Sequence, residues 1–235
     1  MRKTILFCGI AALMLQCKSM QPETPTPAPE RETIDLLALG DSYTKGEGVA
    51  WEGNFPNQLA DSLRLLNNNK RPALRVIAQT GWRTDQLRTA IEAAPELHDS
   101  TFSLVTLCIG VNNQYQGQSL GVYRAEFEEL LKTAILRAGN RPERVLVLSI
   151  PDWAFTPFGQ NSSNPAAISA KIDQFNAANK EISNTYKVQY IDVTTTSRLG
   201  LSNSALVASD GLHPSQIQYT RWIELLLPLA RNVLQ

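Results

Sequence analysis

IDLLALGDSYTKGEG, the sequence of residues 34–48, contains the strongest indication of how this chain folds. Its first part, Ile34 to Leu39, is apolar apart from Asp35 and is ended by Gly40. A short run that is apolar on both faces is typical of a buried strand in a parallel sheet. Ligands of open α/β sheets bind at the carboxyl ends of such strands. Ser42, on the turn that follows, is therefore a candidate nucleophile, although Gly-Asp-Ser is also ordinary turn chemistry.

Four further short apolar segments alternate with segments of helical spacing, and no two strands follow each other directly. This pattern predicts one three-layer α/β domain, with a five-stranded parallel sheet covered by helices on both faces. Thr84 is expected to cap the helix after the second strand, and Pro228 to kink or interrupt the last helix. The later strands are predicted at residues 73–78, 103–109, 144–150 and 189–193, and the main helices near 54–67, from 84, around 123–138, 165–186 and 215–233.

Composition limits the classes of partner. The 235 residues include 22 Lys plus Arg and 22 Asp plus Glu, and 43% are hydrophobic. Such a chain can bury the core of one domain of about 200 residues. Because charge is balanced and no basic run is present, nucleic acid is not an expected partner. The substrate is expected to be small or uncharged.

The first residues have the features of an export signal. Arg2 and Lys3 precede an apolar run over residues 5–15, which is too short to span a bilayer. Cys17 follows, and this segment resembles the lipobox of bacterial lipoproteins, with Gln16 where that family has a small residue. The resemblance implies a signal peptide over residues 1–17 that ends at a lipidated Cys17. Cleavage a few residues downstream and an uncleaved anchor remain the alternatives.

Residues 18–33 contain four prolines and are predicted to be an extended linker between the anchor and the domain at 34–235. The expected location is outside the cytoplasm, on the periplasmic or cell-surface face of a membrane, held there only by the N-terminal lipid.

Three residues of the domain have the side chains that acyl transfer requires. A serine needs a base to take its proton, and histidine titrates in the useful range. The imidazole in turn needs a carboxylate that fixes its tautomer. Ser42, His213 and Asp210 provide these groups, and the backbone N–H groups of Ser42 and Gly81 with the Asn112 amide could bind the developing oxyanion. Taken singly, His213 could instead be a core or capping histidine, and Asp210 a turn residue.

The same residues give the chain a resemblance to the SGNH hydrolases, the GDSL-type lipases and esterases. Its four marked blocks occur here in order: GDSY at 40–43, glycine at 81, GVNN at 110–113 and DGLHP at 210–214. The resemblance implies a flavodoxin-like sheet and catalysis without metal or cofactor. It also implies Ser42 as nucleophile, His213 as base, Asp210 as its orienting acid, and Ser42, Gly81 and Asn112 as the oxyanion hole. Asn113 departs from the family, which usually has aspartate there.

The expected function is hydrolysis of small carboxylic esters, such as acetyl groups on a carbohydrate, through an acyl-enzyme. Trp82 and Tyr115 are predicted to contact the substrate, because they adjoin Gly81 and Asn112. A lysophospholipase or thioesterase is the alternative among enzymes. A surface lipoprotein that binds a ligand without catalysis is the alternative from another class.

Overall fold

A five-stranded parallel sheet forms the centre of residues 33–234, the part of the chain that the computed structural model describes. The strands are β1 (Asp35–Gly40), β2 (Ala73–Ala78), β3 (Leu104–Cys108), β4 (Val145–Leu148) and β5 (Gln189–Ile191). Their order in the sheet is β2-β1-β3-β4-β5, the order of the flavodoxin-like doubly wound fold. The predicted α/β class and five-stranded parallel sheet are therefore confirmed.

The order of the strands reverses at β1, which pairs with β2 on one side and with β3 on the other. Gly40, the last residue of β1, is in register with Ala78 and Cys108, the last residues of its two neighbours. The loops that follow these three strands therefore leave the sheet at one level. In folds of this type the crevice at such a switch point is where ligands bind.

The helices cover both faces of the sheet, and its central strands are accordingly apolar apart from Asp35 in β1 and Thr106 in β3. The helices are α1 (Ser42–Lys45), α2 (Phe55–Ser62), α3 (Thr84–Glu92), α4 (Val111–Tyr115), α5 (Leu120–Arg137), α6 (Pro157–Gln160), α7 (Pro165–Thr185), α8 (Thr194–Ser197) and α9 (Gln216–Leu234). Helix α5 packs against α3 and α7, whereas α2 packs against α9. Large aromatic side chains such as Tyr123 in α5 and Trp222 in α9 are fully buried.

Three local predictions need correction. The helix predicted near 54–67 is shorter: α2 ends at Ser62, and a 3-10 turn over Arg64–Leu66 follows. This tighter turn leads to Asn67, whose side chain accepts a hydrogen bond from the N–H of Ile34. Thr84 is not the cap of α3 but its first residue, with Arg83 at the N-cap position. Helix α9 runs through Pro228, so an interruption there is wrong, whereas a kink stays a prediction; the helix can continue because Pro228 and Glu224, whose carbonyl loses its partner, are both exposed.

No helix within residues 33–234 combines the length and the apolar character needed to cross a membrane. The predicted signal peptide, Cys17 and the linker up to residue 32 lie outside the described residues. Cys108, the free cysteine of the described part, is buried at the end of β3, as expected for a small core residue.

Candidate active site

The turn between β1 and α1 brings Ser42 to the switch point of the sheet. Gly40 is required here because a Cβ atom would collide with the carbonyl oxygen of Cys108 and the hydroxyl of Thr44. Asp41 caps α1 by accepting a hydrogen bond from the N–H of Tyr43 at 3.0 Å. From the other side, the hydroxyl of Tyr219 in α9 donates to the carbonyl of Tyr43 at 2.9 Å. The turn that carries Ser42 is thus fixed at both its strand and its helix side.

Asp210 and His213 form a pair within one loop. Oδ2 of Asp210 lies 2.6 Å from Nδ1 of His213. Oδ1 of the same carboxylate accepts the backbone N–H groups of Leu212 at 2.9 Å and His213 at 3.0 Å. A carboxylate on Nδ1 favours the tautomer that carries its proton there, and this leaves Nε2 as the basic nitrogen.

The pKa of the Asp210 carboxyl is lowered in this loop. Partial burial acts in the opposite direction and raises it, but hydrogen bonds from the backbone and imidazole of His213 and from Leu212 N–H outweigh burial. Asp210 therefore stays ionised across the neutral range. An ionised carboxylate is the form that can stabilise an imidazolium.

Ser42 and His213 line the same cavity, which has a volume of about 190 Å³. Within residues 33–234, no hydrogen bond joins Ser42 Oγ to the His213 imidazole. Such bonds are often long before substrate is bound. The surface of the cavity is mainly apolar, and its lining residues are Ser42, Tyr43, Thr80, Gly81, Val111, Asn112, Tyr115, Trp153, Phe158, Leu212 and His213.

Three of the residues that line this cavity have a hydrogen-bond donor without a partner among the described residues. Gly81 has a φ of +86°, a left-handed conformation that favours glycine, and its N–H has no acceptor among the described residues. The N–H of Ser42 likewise has no acceptor in that part of the chain. The side-chain amide of Asn112 donates one N–H to the carbonyl of Trp82 at 2.9 Å and has a second one left. The three residues named for the oxyanion hole are thus brought together.

The two predicted substrate contacts have different positions. Tyr115 lines the cavity, is 57% exposed, and meets the ring of Trp153 edge-on with 5.4 Å between centroids. Trp82 does not line the cavity, and it is the backbone carbonyl of Trp82 that holds Asn112. Its adjacency to Gly81 in sequence did not indicate this, because the side chain after a left-handed turn can leave on either side.

Two further aromatic residues of the cavity wall, Trp153 and Phe158, are not among the two predicted substrate contacts. Trp153 follows β4 in the segment Pro151-Asp152-Trp153, the same strand-end position as the other site loops. Phe158 comes from α6, and its N–H donates to the carbonyl of Gly211 at 2.9 Å. Gly211 lies between Asp210 and His213, so this wall is tied to the loop that holds the Asp210–His213 pair. The strand-end position of Trp153 is a sequence signal that indicates its place beside the site loops.

Asn113, the departure from the family pattern, is buried, and both its side-chain oxygen and its side-chain nitrogen are hydrogen-bonded. Its Oδ1 accepts the N–H of Thr84 at 3.2 Å, and its Nδ2 donates to the Thr84 hydroxyl at 2.6 Å and to the side chain of Gln118 at 2.5 Å. Thr84 and Gln118 both donate to Glu126. The amide therefore braces α4 against the start of α3, and the loop is not loosened by having asparagine at this position.

The described residues contain no group of three or more His, Cys, Asp or Glu side chains arranged to hold a metal ion. The donor set at the cavity is instead a hydroxyl, an imidazole–carboxylate pair and N–H groups. This set suits nucleophilic attack on a carbonyl carbon and stabilisation of the charge that develops on its oxygen.

The chain shares its fold with solved esterases and lipases at low sequence identity. TesA matches with a TM-score of 0.63 at 17% identity, over 85% of this chain and 99% of TesA. A lipase/acylhydrolase from Enterococcus faecalis matches with a TM-score of 0.62 at 19% identity, over 86% and 96% of the two chains. An acetyl xylan esterase, Axe2 from Geobacillus stearothermophilus, matches with a TM-score of 0.59 at 18% identity, over 84% and 94%.

None of the curated protein sequences matches the chain significantly. The model of the GDSL-like Lipase/Acylhydrolase family, however, matches residues 38–221, most of the chain. That range includes all four sequence blocks and every residue that lines the cavity. The chain therefore belongs to the GDSL-like lipase/acylhydrolase family and is a hydrolase that acts on ester bonds.

Proposed function

We propose that this protein is a serine esterase that removes small acyl groups, such as acetyl, from a carbohydrate. One observation carries the proposal: Ser42, the imidazole of the Asp210–His213 pair and the donors at Gly81 and Asn112 all line one cavity of about 190 Å³. These are the groups that acyl transfer to a serine needs, and the cavity is small enough to favour a short acyl chain.

The proposed reaction has two halves. Ser42 Oγ attacks the ester carbonyl carbon while Nε2 of His213 takes the hydroxyl proton, and the N–H groups of Ser42, Gly81 and Asn112 bind the oxyanion. The intermediate collapses when the imidazolium gives its proton to the departing alcohol oxygen, which leaves an acyl-enzyme. Water then attacks the acyl carbon with His213 again as base, and the acid leaves as Ser42 recovers its proton. Asp210 stabilises the imidazolium in both halves.

Two observations favour a carbohydrate over a lipid as the alcohol part. Tyr115 presents an exposed ring at the cavity, and an aromatic face beside polar groups suits a sugar ring. Among proteins of the same fold, Axe2 is an acetyl xylan esterase. The mainly apolar lining of the cavity favours the second candidate, a lysophospholipase or thioesterase, because a long acyl chain would also find apolar contacts there.

The proposal includes the location. A lipid on Cys17 and the linker over residues 18–33 would hold the domain at the outer side of a membrane. Mass spectrometry of the protein from its native membrane tests this, with Cys17→Ser as the control that should be released unlipidated. Recovery of a wild-type chain that retains residues before Cys17 would contradict lipidation at that site.

The activity is tested with p-nitrophenyl esters from acetate to decanoate, with Ser42→Ala as the control. We expect serine-dependent hydrolysis that falls steeply with acyl length, and a covalent adduct of a fluorophosphonate probe on Ser42. A preference for long acyl chains would contradict the small-acyl esterase and favour the second candidate, an enzyme that acts on lipid substrates. Hydrolysis of the acetate by purified Ser42→Ala at the wild-type rate would overturn the serine mechanism itself.

A further inference from the structure

The indole of Trp153 is held in place by a partner outside the catalytic groups. Its Nε1–H donates to Oε1 of Gln114 at 2.8 Å, and both residues are buried, with 7% and 6% of their surfaces exposed. Gln114 belongs to α4, the helix that also carries Asn112. The ring that forms part of the cavity wall is thus fixed to the element that supplies an oxyanion donor.

The backbone beside Trp153 is fixed as well. The carboxylate of Asp152 is fully buried, and it accepts the Nε–H of Arg198 at 3.0 Å and the N–H of Ala154 at 3.1 Å. The N–H of Asp152 donates to the hydroxyl of Ser197 at 2.8 Å. Because a buried carboxylate is strongly destabilised when it loses its partner, this segment resists displacement.

Trp153 is also supported from the sides. Its ring lies between Tyr115, at 5.4 Å, and Phe158, at 6.0 Å between centroids. Phe158 is in turn held by its backbone to Gly211. The aromatic wall therefore extends from α4 to the loop of Asp210 and His213, with Trp153 as its most constrained member.

We propose that Trp153, held by Gln114, is the residue that limits the length of the acyl chain. This inference rests on the proposed esterase function. The ester carbonyl has to lie against Ser42 with its oxygen towards Gly81 and Asn112, so the acyl chain occupies the apolar remainder of the cavity. A ring that is bound through its indole nitrogen and through its own backbone segment cannot swing aside, and a longer chain meets it.

The test compares acyl-length profiles of variants on p-nitrophenyl acetate, butyrate and hexanoate. Trp153→Ala should raise the hexanoate-to-acetate ratio of kcat/KM at least tenfold, since each methylene that gains apolar contact is worth about fourfold. Trp153→Phe keeps a ring but loses the donor, and Gln114→Met removes the acceptor while leaving the indole intact. Both should shift the ratio in the same direction by a smaller factor.

The ratio is independent of how much of each preparation is active, so partial misfolding does not imitate the effect. Phe155→Ala is the matched control, because Phe155 is on the same loop as Trp153 but does not line the cavity. It should keep the wild-type ratio. If Trp153→Ala fails to fold, Gln114→Met still tests the inference, because it leaves the indole in place and removes only its hydrogen-bond acceptor.

Several outcomes would overturn the inference. An unchanged ratio in Trp153→Ala and in Gln114→Met would do so, and so would an equal shift in Phe155→Ala. A series of acetate esters with alcohols of increasing size provides the last check. If the Trp153 variants change selectivity in that series and not in the acyl series, the ring limits the alcohol and not the acyl group. Failure of the esterase function itself would appear differently, as hydrolysis unaffected by Ser42→Ala.

Discussion

The side-chain amide of Asn112 lies 2.9 Å from the backbone carbonyl oxygen of Trp82, to which it donates a hydrogen bond. This contact fixes the plane of the amide, because an amide nitrogen has two hydrogens and one of them is now committed. The other is available to a substrate at the cavity. An oxyanion donor that is oriented in advance needs no reorganisation during the reaction.

Replacing Asn112 should therefore reduce turnover more than binding. We expect Asn112→Ala to lower kcat by about 10²–10³-fold with KM changed little, because the donor acts mainly in the transition state. Steady-state kinetics on p-nitrophenyl acetate measure this, and the exposed Asn184→Ala should behave as wild type. If Asn112→Ala raised KM and left kcat intact, Asn112 would be a ground-state contact instead.

The pairing of Asp210 with His213 leads to a second prediction. Asp210→Asn keeps the size of the side chain, but it removes the charge that faces Nδ1 and permits the wrong tautomer of the imidazole. We expect kcat to fall by about 10⁴-fold, a smaller loss than in His213→Ala, which removes the base itself. Reaction with a fluorophosphonate probe should slow in parallel. A variant that keeps a tenth or more of the wild-type kcat would show that Asp210 is a turn residue only.

Gly48 is expected to position Asp210, although it is not part of any motif. Its φ is +82°, and a Cβ atom on it would lie 2.9 Å from Oδ2 of Asp210 and 2.9 Å from the Cβ of Ala208. Gly139 has a φ of +69° as well, but its nearest neighbours would be 3.9 Å away. Both Gly→Ala variants should lose about 1–2 kcal/mol in the free energy of unfolding, because alanine is strained at positive φ.

Only Gly48→Ala should also lower kcat, by tenfold or more, because the added methyl group pushes the carboxylate that orients His213. Denaturant unfolding measures the shared loss of stability, and kinetics on the folded fraction measure the difference. Equal kcat values in the two variants would contradict this prediction, because they would mean that the loop of Asp210 accommodates the methyl group without moving the carboxylate away from His213.

The sequence identified the residues whose positions depend on strand ends alone. Ser42 and Asn112 follow strands that are parallel neighbours, so the topology is sufficient to bring them to one edge. Asp210 and His213 are three residues apart, and their pairing is local. The contact of Trp153 with Gln114 could not be predicted in this way. It joins loops after two different strands, and only the packing of side chains determines which groups meet.

The same limit explains the error at Thr84. Thr84 has a side chain typical of a helix cap, but its N–H and hydroxyl are engaged by Asn113 and Glu126, and these tertiary contacts outweigh the local preference. The substrate contact of Trp82 stays a prediction. Its side chain does not line the cavity, and the left-handed residue Gly81 redirects the chain immediately before it.

Asp41 supplies a prediction about stability. It is fully buried next to Ser42, and its Oδ2 has no hydrogen-bond partner within the described residues. Burial raises the pKa of its carboxyl from 3.8 to about 7, against the opposing effect of the N–H groups of Tyr43 and Gly110. Between these two values the folded protein binds a proton that the unfolded chain has lost. The free energy of unfolding should therefore decrease as the pH rises from about 4 to about 7.

Asp41→Asn should remove this dependence, because an amide is neutral at every pH in the range and keeps the acceptor for Tyr43. The difference of about three units between the folded and the unfolded pKa of Asp41 corresponds to roughly 4 kcal/mol in the free energy of unfolding. We expect the variant to be more stable than wild type at pH 8, by up to that amount, and to match it at pH 4. Denaturant unfolding at the two pH values measures the change, with Asp61→Asn at an exposed carboxylate as the control. If Asp41→Asn kept the pH slope of the wild type, the carboxyl would be ionised in the folded protein, and a buried negative charge would lie next to Ser42.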